Sequence, residues 1–446
     1  MNVLFIFFVQ YVTGYTAVGR FGHSAIVLNG SIYFYGGDGA INSNSTLSDL
    51  AILPIHSSFE LTRPPWSSPS GPQDSLGGPS VQAHVAFLGG SNAGNMIIMG
   101  GVMPSLMALD EEPKAYSYDI DLGRWNSFTL PRGNRLNRQG AGCTTTGHAS
   151  FIWGGKRTLK SHAAPFPANM YRFDTVHTEN SSLISLNNSP PSRYGHTQTL
   201  IEGDRIVILG GFDGQTGNAM SMGDIWVFDS LVFNWTHVSA DQDEMPANRS
   251  SHSQVLMPDG YSILIYGGYD GYHVFNDVAV LDTRTWKWTV KNTNAAVQGR
   301  ADHTATLVGT NMIVAFGFTG VSTTLTVMSD IEVLDINTWS WTSVYTPTTI
   351  QKINKISNDD SSVAIIAGAV TGGVVVFLLV LVILYLLYLQ RKPPVEPRDP
   401  PNRSDTMVTS KILVSLLSPW KQVVYKPDET DQDTFDRQEF IQYSGV

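Results

Sequence analysis

The stretch from Arg249 to Trp288 reads RSSHSQVLMPDGYSILIYGGYDGYHVFNDVAVLDTRTWKW. Four short runs in it are rich in β-branched and aromatic residues: His252 to Met257, Tyr261 to Tyr266, Asp277 to Leu281 and Trp286 to Val290. Pro258-Asp259-Gly260, Gly267-Gly268 and Asp282 punctuate them, the pattern of antiparallel strands joined by tight turns. One four-stranded sheet of this size cannot bury both its faces alone. It needs copies of itself to stack against.

The copies are present. Gly19-Arg20-Phe21-Gly22-His23 leads to Gly36-Gly37, His84 to Gly100-Gly101, and His148 to Gly154-Gly155. Arg193-Tyr194-Gly195-His196 leads to Gly210-Gly211, and Arg300-Ala301-Asp302-His303 to a degenerate Phe316-Gly317. Third strands recur at Asp49, Tyr116, Tyr171, Asp224 and Asp330, and a tryptophan follows at Trp66, Trp125, Trp235, Trp288 and Trp341. The third copy lacks the tryptophan. A period of roughly 50–60 residues is in the range of kelch arrays.

These residues resemble the kelch repeat, from about Gly19 to Thr346. The resemblance implies an all-β, six-bladed kelch-type β-propeller. In that pattern the paired glycines end the second strand at positive φ, with close backbone approach. The tryptophan fills the wedge between blades. The Arg and His are expected to satisfy buried carbonyls between blades.

At 446 residues, 42% hydrophobic and 15% charged, the chain has ample material for a core. Its net charge of -10 argues against general nucleic-acid binding. With one cysteine, Cys143, it forms no intramolecular disulfide. Residues 1–14 read as a short signal peptide on the apolar run Val3 to Val9, 19–346 as the propeller, and 347–362 as a polar stalk. The uncharged run 363–389 reads as one transmembrane helix and 390–446 as a cytoplasmic, mostly disordered tail. Arg391 and Lys392 after the run place the propeller outside, at the plasma membrane. Sequons at Asn29, Asn44, Asn180, Asn187, Asn234 and Asn248 fit that orientation as glycosylation sites.

The expected function is that of a cell-surface, single-pass protein. Its propeller binds an extracellular protein or an anionic glycan in adhesion, polarity or sensing, and its tail serves as adaptor. The candidate ligand-binding residues are Arg132, Arg135, Arg138, Lys156, Arg157 and Lys160, a basic run with no Asp or Glu from Leu122 to Phe173. In the tail, Arg391, Pro394 and Pro397 have the spacing of an SH3-type ligand. No catalytic residues, metal or cofactor are expected. The alternative is a galactose-oxidase-like copper radical oxidase, because such enzymes also use kelch-like propellers. They hold copper with two tyrosines and two histidines, one tyrosine being cross-linked to a cysteine. Tyr269, Tyr272 and His273 share one loop and are the residues left for that role. Asp-Gly pairs after the Gly-Gly stops, at Asp38, Asp213 and Asp270, read as turn chemistry.

Overall fold

The computed structural model describes residues 11–41, 45–69, 77–90, 93–104, 114–130, 137–147, 149–158, 165–184, 186, 188–321 and 323–347. Six antiparallel sheets succeed one another, each with its four strands side by side in chain order. Blade 5 is typical: Ser253–Leu256, Ser262–Tyr266, Val278–Asp282 and Lys287–Lys291. The second strands read SIYFY, NMIIM, ASFIW, RIVIL, SILIY and NMIVA, without polar alternation, because a neighbouring blade covers each face. Ile263 and Ile265 pack toward blade 4, whereas Leu264 and Tyr266 pack toward blade 6. Hairpin turns use left-handed pairs such as Asn29-Gly30, at φ 50° and 72°.

Six apolar clusters fill the six seams. Each repeat tryptophan reaches back onto the preceding blade. Trp288 joins the blade 4 cluster, and its Nε1 donates to Met222 O at 3.1 Å. Trp66 of blade 1 packs on Phe316 of blade 6, their rings stacked at 5.4 Å. That contact closes the ring blade against blade. Val344–Tyr345 also pairs with Phe59–Glu60 of blade 1, and Tyr345 Oη donates to Ile55 O at 3.0 Å.

The repeat's polar residues bolt these seams. Arg20, Arg193, Arg249 and Arg300 are buried, and each holds its own blade in two places. Their Nη1 atoms donate to the carbonyl of the first residue of the glycine pair: Gly36, Gly210, Gly267 and Phe316, at 2.8–3.3 Å. They also bind the acid that precedes or opens the third strand: Asp49, Asp224, Asp277 and Asp330. The second glycine then joins the next blade. Gly37, Gly101, Gly155, Gly211, Gly268 and Gly317 donate to the carbonyls of Val81, Arg138, Arg193, Arg249, Arg300 and Arg20, at 2.6–2.9 Å. A Cβ on Gly154 would stand 2.6 Å from Arg193 O, so the approach favours glycine there. Phe316 occupies the same place in blade 6 at φ 59°, its ring packed on Phe34 and Trp66.

The histidines act between blades, through side chains rather than the expected carbonyls. His23 Nε2 pairs with Thr304 Oγ1, His84 with Ser24 Oγ, His252 with Thr197 Oγ1 and His303 with Ser253 Oγ, at 2.8–2.9 Å. His196 Nε2 accepts from Gly142 N at 3.2 Å. Burial lowers the pKa of His84, and burial with the neighbouring Arg lowers those of His196 and His252, all to about 3. His23 and His303 fall for the same reasons.

Two repeat assignments need correction. In the third copy the bolt is Arg138, bound to the carbonyls of Gly154 and Asn169 and to Asn169 Oδ1. Ala141 stands where the other blades have histidine. His148, one residue after Gly147 in the sequence, lies outside the described residues. Val85 replaces the hydroxyl that a histidine at 141 would have met, so tie and partner are missing together at the seam between blades 2 and 3.

The membrane form is corrected as well. The described residues form strands, turns and a three-residue 3-10 helix, Thr178–Asn180, and among them no helix is long and apolar enough to cross a membrane. The chain divides into Met1–Lys352 and Ile353–Val446, and the expected helix over 363–389, with the tail and its Arg391, Pro394 and Pro397, lies outside the described residues. The single-pass form, the outward propeller, the plasma-membrane location and the partners tied to that topology are therefore withdrawn. Tyr11–Thr13, inside the span expected as a leader, pairs with Ser67–Pro69 as a fifth, outer strand of blade 1.

Three outcomes follow for stability. Trp288→Ala should cost roughly 3–5 kcal/mol and lower the thermal midpoint well beyond the effect of Trp286→Ala, which removes only a half-buried ring. His303→Ala and Ser253→Val should each destabilise, yet the double variant should recover about 0.5–3 kcal/mol relative to additivity, since Ala141 and Val85 already form such a seam; a double-mutant cycle measures this. Acid should weaken the propeller. The seam histidines bind protons less readily folded than unfolded, so their contribution is present above a pH of about 6.5 and is lost as pH falls toward 3. Each histidine adds up to about 1.4 kcal/mol per pH unit to that slope, and urea unfolding compared between roughly pH 7.5 and pH 5 reads the sum.

Candidate functional site

The first strands line the axis, and the residue two places after each Arg position forms its rim. Gly22, Ala83, Gly140, Gly195, Ser251 and Asp302 hold left-handed φ angles of 49–65°. Their amides and carbonyls form a closed chain of hydrogen bonds. Ala83 N donates to Gly22 O, Gly140 to Ala83, Gly195 to Gly140, Ser251 to Gly195, Asp302 to Ser251 and Gly22 to Asp302, at 2.7–3.0 Å. Just below the rim the five seam histidines line a cavity of about 150 Å³. It continues into an axial channel walled by Ala25, Ala86, Cys143, Gln198, Gln254 and Ala305. Cys143 is a free thiol there, and burial raises its pKa.

Asp302 is the acidic side chain among the six rim positions. Burial raises its carboxyl pKa, with the Ser251 hydroxyl bond opposing. The histidines beside it are held neutral by burial.

One residue further out, the position after each Arg pairs with the position after the glycine pair. The pairs are Phe21 with Asp38, Gln82 with Val102, Gln139 with Lys156, Tyr194 with Phe212, Ser250 with Tyr269 and Ala301 with Phe318. The aromatic members touch in sequence. Phe166 stacks on Tyr194 at 5.7 Å, Tyr194 meets Phe212 at 5.5 Å, and Phe212 meets Tyr269 at 6.3 Å. Tyr269 then meets Phe318 at 5.8 Å, and Phe318 meets Phe21 at 5.7 Å. All but Phe318 are partly exposed. Tyr272, beside this arc, is 70% exposed. The face is thus aromatic from Phe166 of blade 3 through blades 4, 5 and 6 to blade 1, and carries Gln82, Val102, Gln139 and Lys156 over blades 2 and 3. Sequence reading missed it because the aromatics are scattered singly through the chain; a repeat alignment at those two positions gathers all of them but Phe166.

The basic set is largely dispersed. Arg138 is 2% exposed and serves its own blade, so it is removed from the candidate ligand-binding residues; burial, then Arg157, lowers its pKa to about 10. Lys156 is exposed and Arg157 half-buried, whereas Arg132, Arg135 and Lys160 lie outside the described residues. Asn29, Asn180, Asn234 and Asn248 are exposed, and Asn44 and Asn187 lie outside the described residues.

The copper reading is corrected by donor geometry. Tyr269 Oη donates to Gly271 O at 2.5 Å, and His273 Nδ1 lies 3.2 Å from Asp270 Oδ2. Asp270 otherwise caps its turn through the amides of Tyr272 and His273, both at 2.7 Å. Asp213 does likewise for Gln215 and Thr216. Among the described residues no three His, Cys, Asp or Glu side chains gather as a metal site.

Comparison with known proteins agrees with this geometry. Residues 140–365, just over half of the chain, match the family described as the KLHDC2/KLHL20/DRC7 Kelch-repeats domain, and residues 9–214 match the Attractin/LZTR1 beta-propeller. Host cell factor homolog hcf-1 of Caenorhabditis elegans is 24% identical over 354 residues, 70% of this chain and 42% of that protein. Acyl-CoA-binding domain-containing protein 4 of Arabidopsis thaliana is 27% identical over 206 residues, covering 44% of this chain and 29% of its own length. Kelch domain-containing protein 1 of Mus musculus is 24% identical over 232 residues, 46% of this chain and 55% of that protein. The chain therefore spans between 29% and 55% of these curated relatives. The kelch matches and the described strand and side-chain geometry are those of a repeat propeller. With Gly-Gly stops, Arg bolts and tryptophan wedges repeated around six seams, the chain belongs to the Kelch-repeat propeller family.

Proposed function

We propose that this propeller binds a protein partner on the face that carries the axial rim and the connections between second and third strands. The aromatic arc Phe166, Tyr194, Phe212, Tyr269, Phe318 and Phe21 is the observation that carries the reading. Partly exposed aromatic side chains on rigid strand ends give large contact area at low entropic cost, and they are the side chains that dominate protein interfaces. The arc runs beside a concave mouth, so a partner loop gains both a flat apolar shelf and a socket. Lys156 and Arg157 flank the arc at blade 3, where acidic groups of a partner would meet them. Arg132, Arg135 and Lys160 belong by sequence to the same sector.

The opposite face offers another exposed apolar patch, the turn Leu231-Val232-Phe233 between the third and fourth strands of blade 4. It serves as the control. A photo-cross-linking residue placed at Tyr272 of the full chain, in cells that express it, should give a discrete protein adduct. The same residue at Leu231 should not. Phe212→Ser with Tyr269→Ser should reduce the Tyr272 adduct by at least about tenfold, as expected for loss of two interface aromatics. Adducts that form from Leu231 alone, or that survive the double substitution, would refute this face.

A further inference from the structure

We propose that the axial mouth is a socket for a basic side chain, lysine or arginine, projecting from the docked partner segment, with Asp302 as its counter-charge. The inference rests on the docking face described above and adds what the partner must present at its centre.

The rim sets the chemistry. Its six positions are Gly22, Ala83, Gly140, Gly195, Ser251 and Asp302, and Asp302 supplies the charge. The mouth's other titratable side chains are His23, His84, His196, His252 and His303. Each spends its Nε2 on a seam contact, and burial keeps each neutral. No lysine or arginine lines the mouth among the described residues. The nearby guanidiniums face away, into their own blades, on Gly36, Gly154, Gly210, Gly267 and Phe316. Asp302 is thus a carboxylate at the floor of a docking face without a cation from its own mouth. A carboxylate in partly dry surroundings favours an incoming cation, whereas the same site repels an acidic group.

The space below fits a long side chain. The cavity of about 150 Å³ opens into the channel, which Gln198 and Gln254 line. The walls there are otherwise small, with Ala25, Ala86 and Ala305 on three of the six first strands. A methylene stem from the docked segment can lie against the small rim residues Gly140, Gly195 and Ala83 while its charged head stays with Asp302 at the mouth. The aromatic shelf next to the rim is also suited to a basic residue's neighbours and to the cation itself on approach. Nothing in the fold requires the acid at this position. Its φ of 49° suits Asn as well, and the rim bonds use main-chain atoms.

The test uses the full chain and end-capped fluorescent peptides, acetyl-Leu-Tyr-Gly-X-Gly-Tyr-Leu-amide, with X as lysine, arginine, norleucine or glutamate. The lysine or arginine peptide should bind at least about tenfold more tightly than the norleucine peptide, and the glutamate peptide most weakly, as expected for a charge-assisted contact. Asp302→Asn should abolish the difference and leave norleucine binding unchanged. Phe212→Ser should weaken all four alike. Equal binding of all four, or an Asp302→Asn variant that still prefers the basic peptides, would overturn the socket. Loss of the basic preference without any effect of Phe212→Ser would instead overturn the docking face and leave the socket standing. A second measurement does not depend on peptide affinity. n-Butylammonium chloride should raise the thermal midpoint of the wild type above that in equal sodium chloride, and should not do so in Asp302→Asn. An unchanged wild-type midpoint counts against the socket.

Discussion

Everything in this propeller depends on the closing of a ring. Six sheets must meet so that the last one finds the first, and an error in one seam accumulates around the axis. The structure meets the constraint with main-chain atoms. Six amides at left-handed φ pass hydrogen bonds from Gly22 round to Asp302 and back, and six more run from the glycine pairs to the next blade. Arginine, histidine and tryptophan act outward from this frame. The arginine fixes the glycine turn in its own blade, the histidine ties first strands together, and the tryptophan wedges the outer halves apart at a fixed angle.

The seams are not equal, and the differences rank the parts. Blade 2 has Val81 where the others have arginine, and the Val81 carbonyl still receives Gly37 N–H at 2.8 Å. Blade 3 has Ala141 for histidine and Val85 opposite, so the seam between blades 2 and 3 is apolar where the others carry a polar tie. Removing both partners together leaves no buried polar group stranded, which is why such a seam is tolerated. Side-chain bolts can be exchanged for packing. The backbone contacts recur at every seam.

Much of this was legible in the sequence. The Gly-Gly stops, the tryptophans and the strand periods give the blades, because a second strand covered on both faces must be continuously apolar. The third copy misled for a physical reason. His148 resembles the seam histidine but lies only a few residues before Gly154, whereas the arginine-to-glycine spacings of 16–18 residues elsewhere are matched by Arg138. A run of basic residues then hid Arg138 among surface charges, although its guanidinium is a core group. The membrane expectation drew on residues that the described structure does not include. The aromatic arc and Asp302 were not visible as a site, since their residues are spread over five blades and only the ring brings them together.

Because the rim is held by amides and carbonyls, its side chains are relieved of structural duty. Glycine, alanine, serine and aspartate already occupy equivalent places on it. Within the residues that a left-handed φ admits, the centre of the molecule can therefore vary without loss of its main-chain bonds. One codon change at the rim alters the polarity or width of the opening without touching a seam. A lineage of such rings can diversify what it recognises by editing a few central letters, while the surrounding architecture is inherited unchanged.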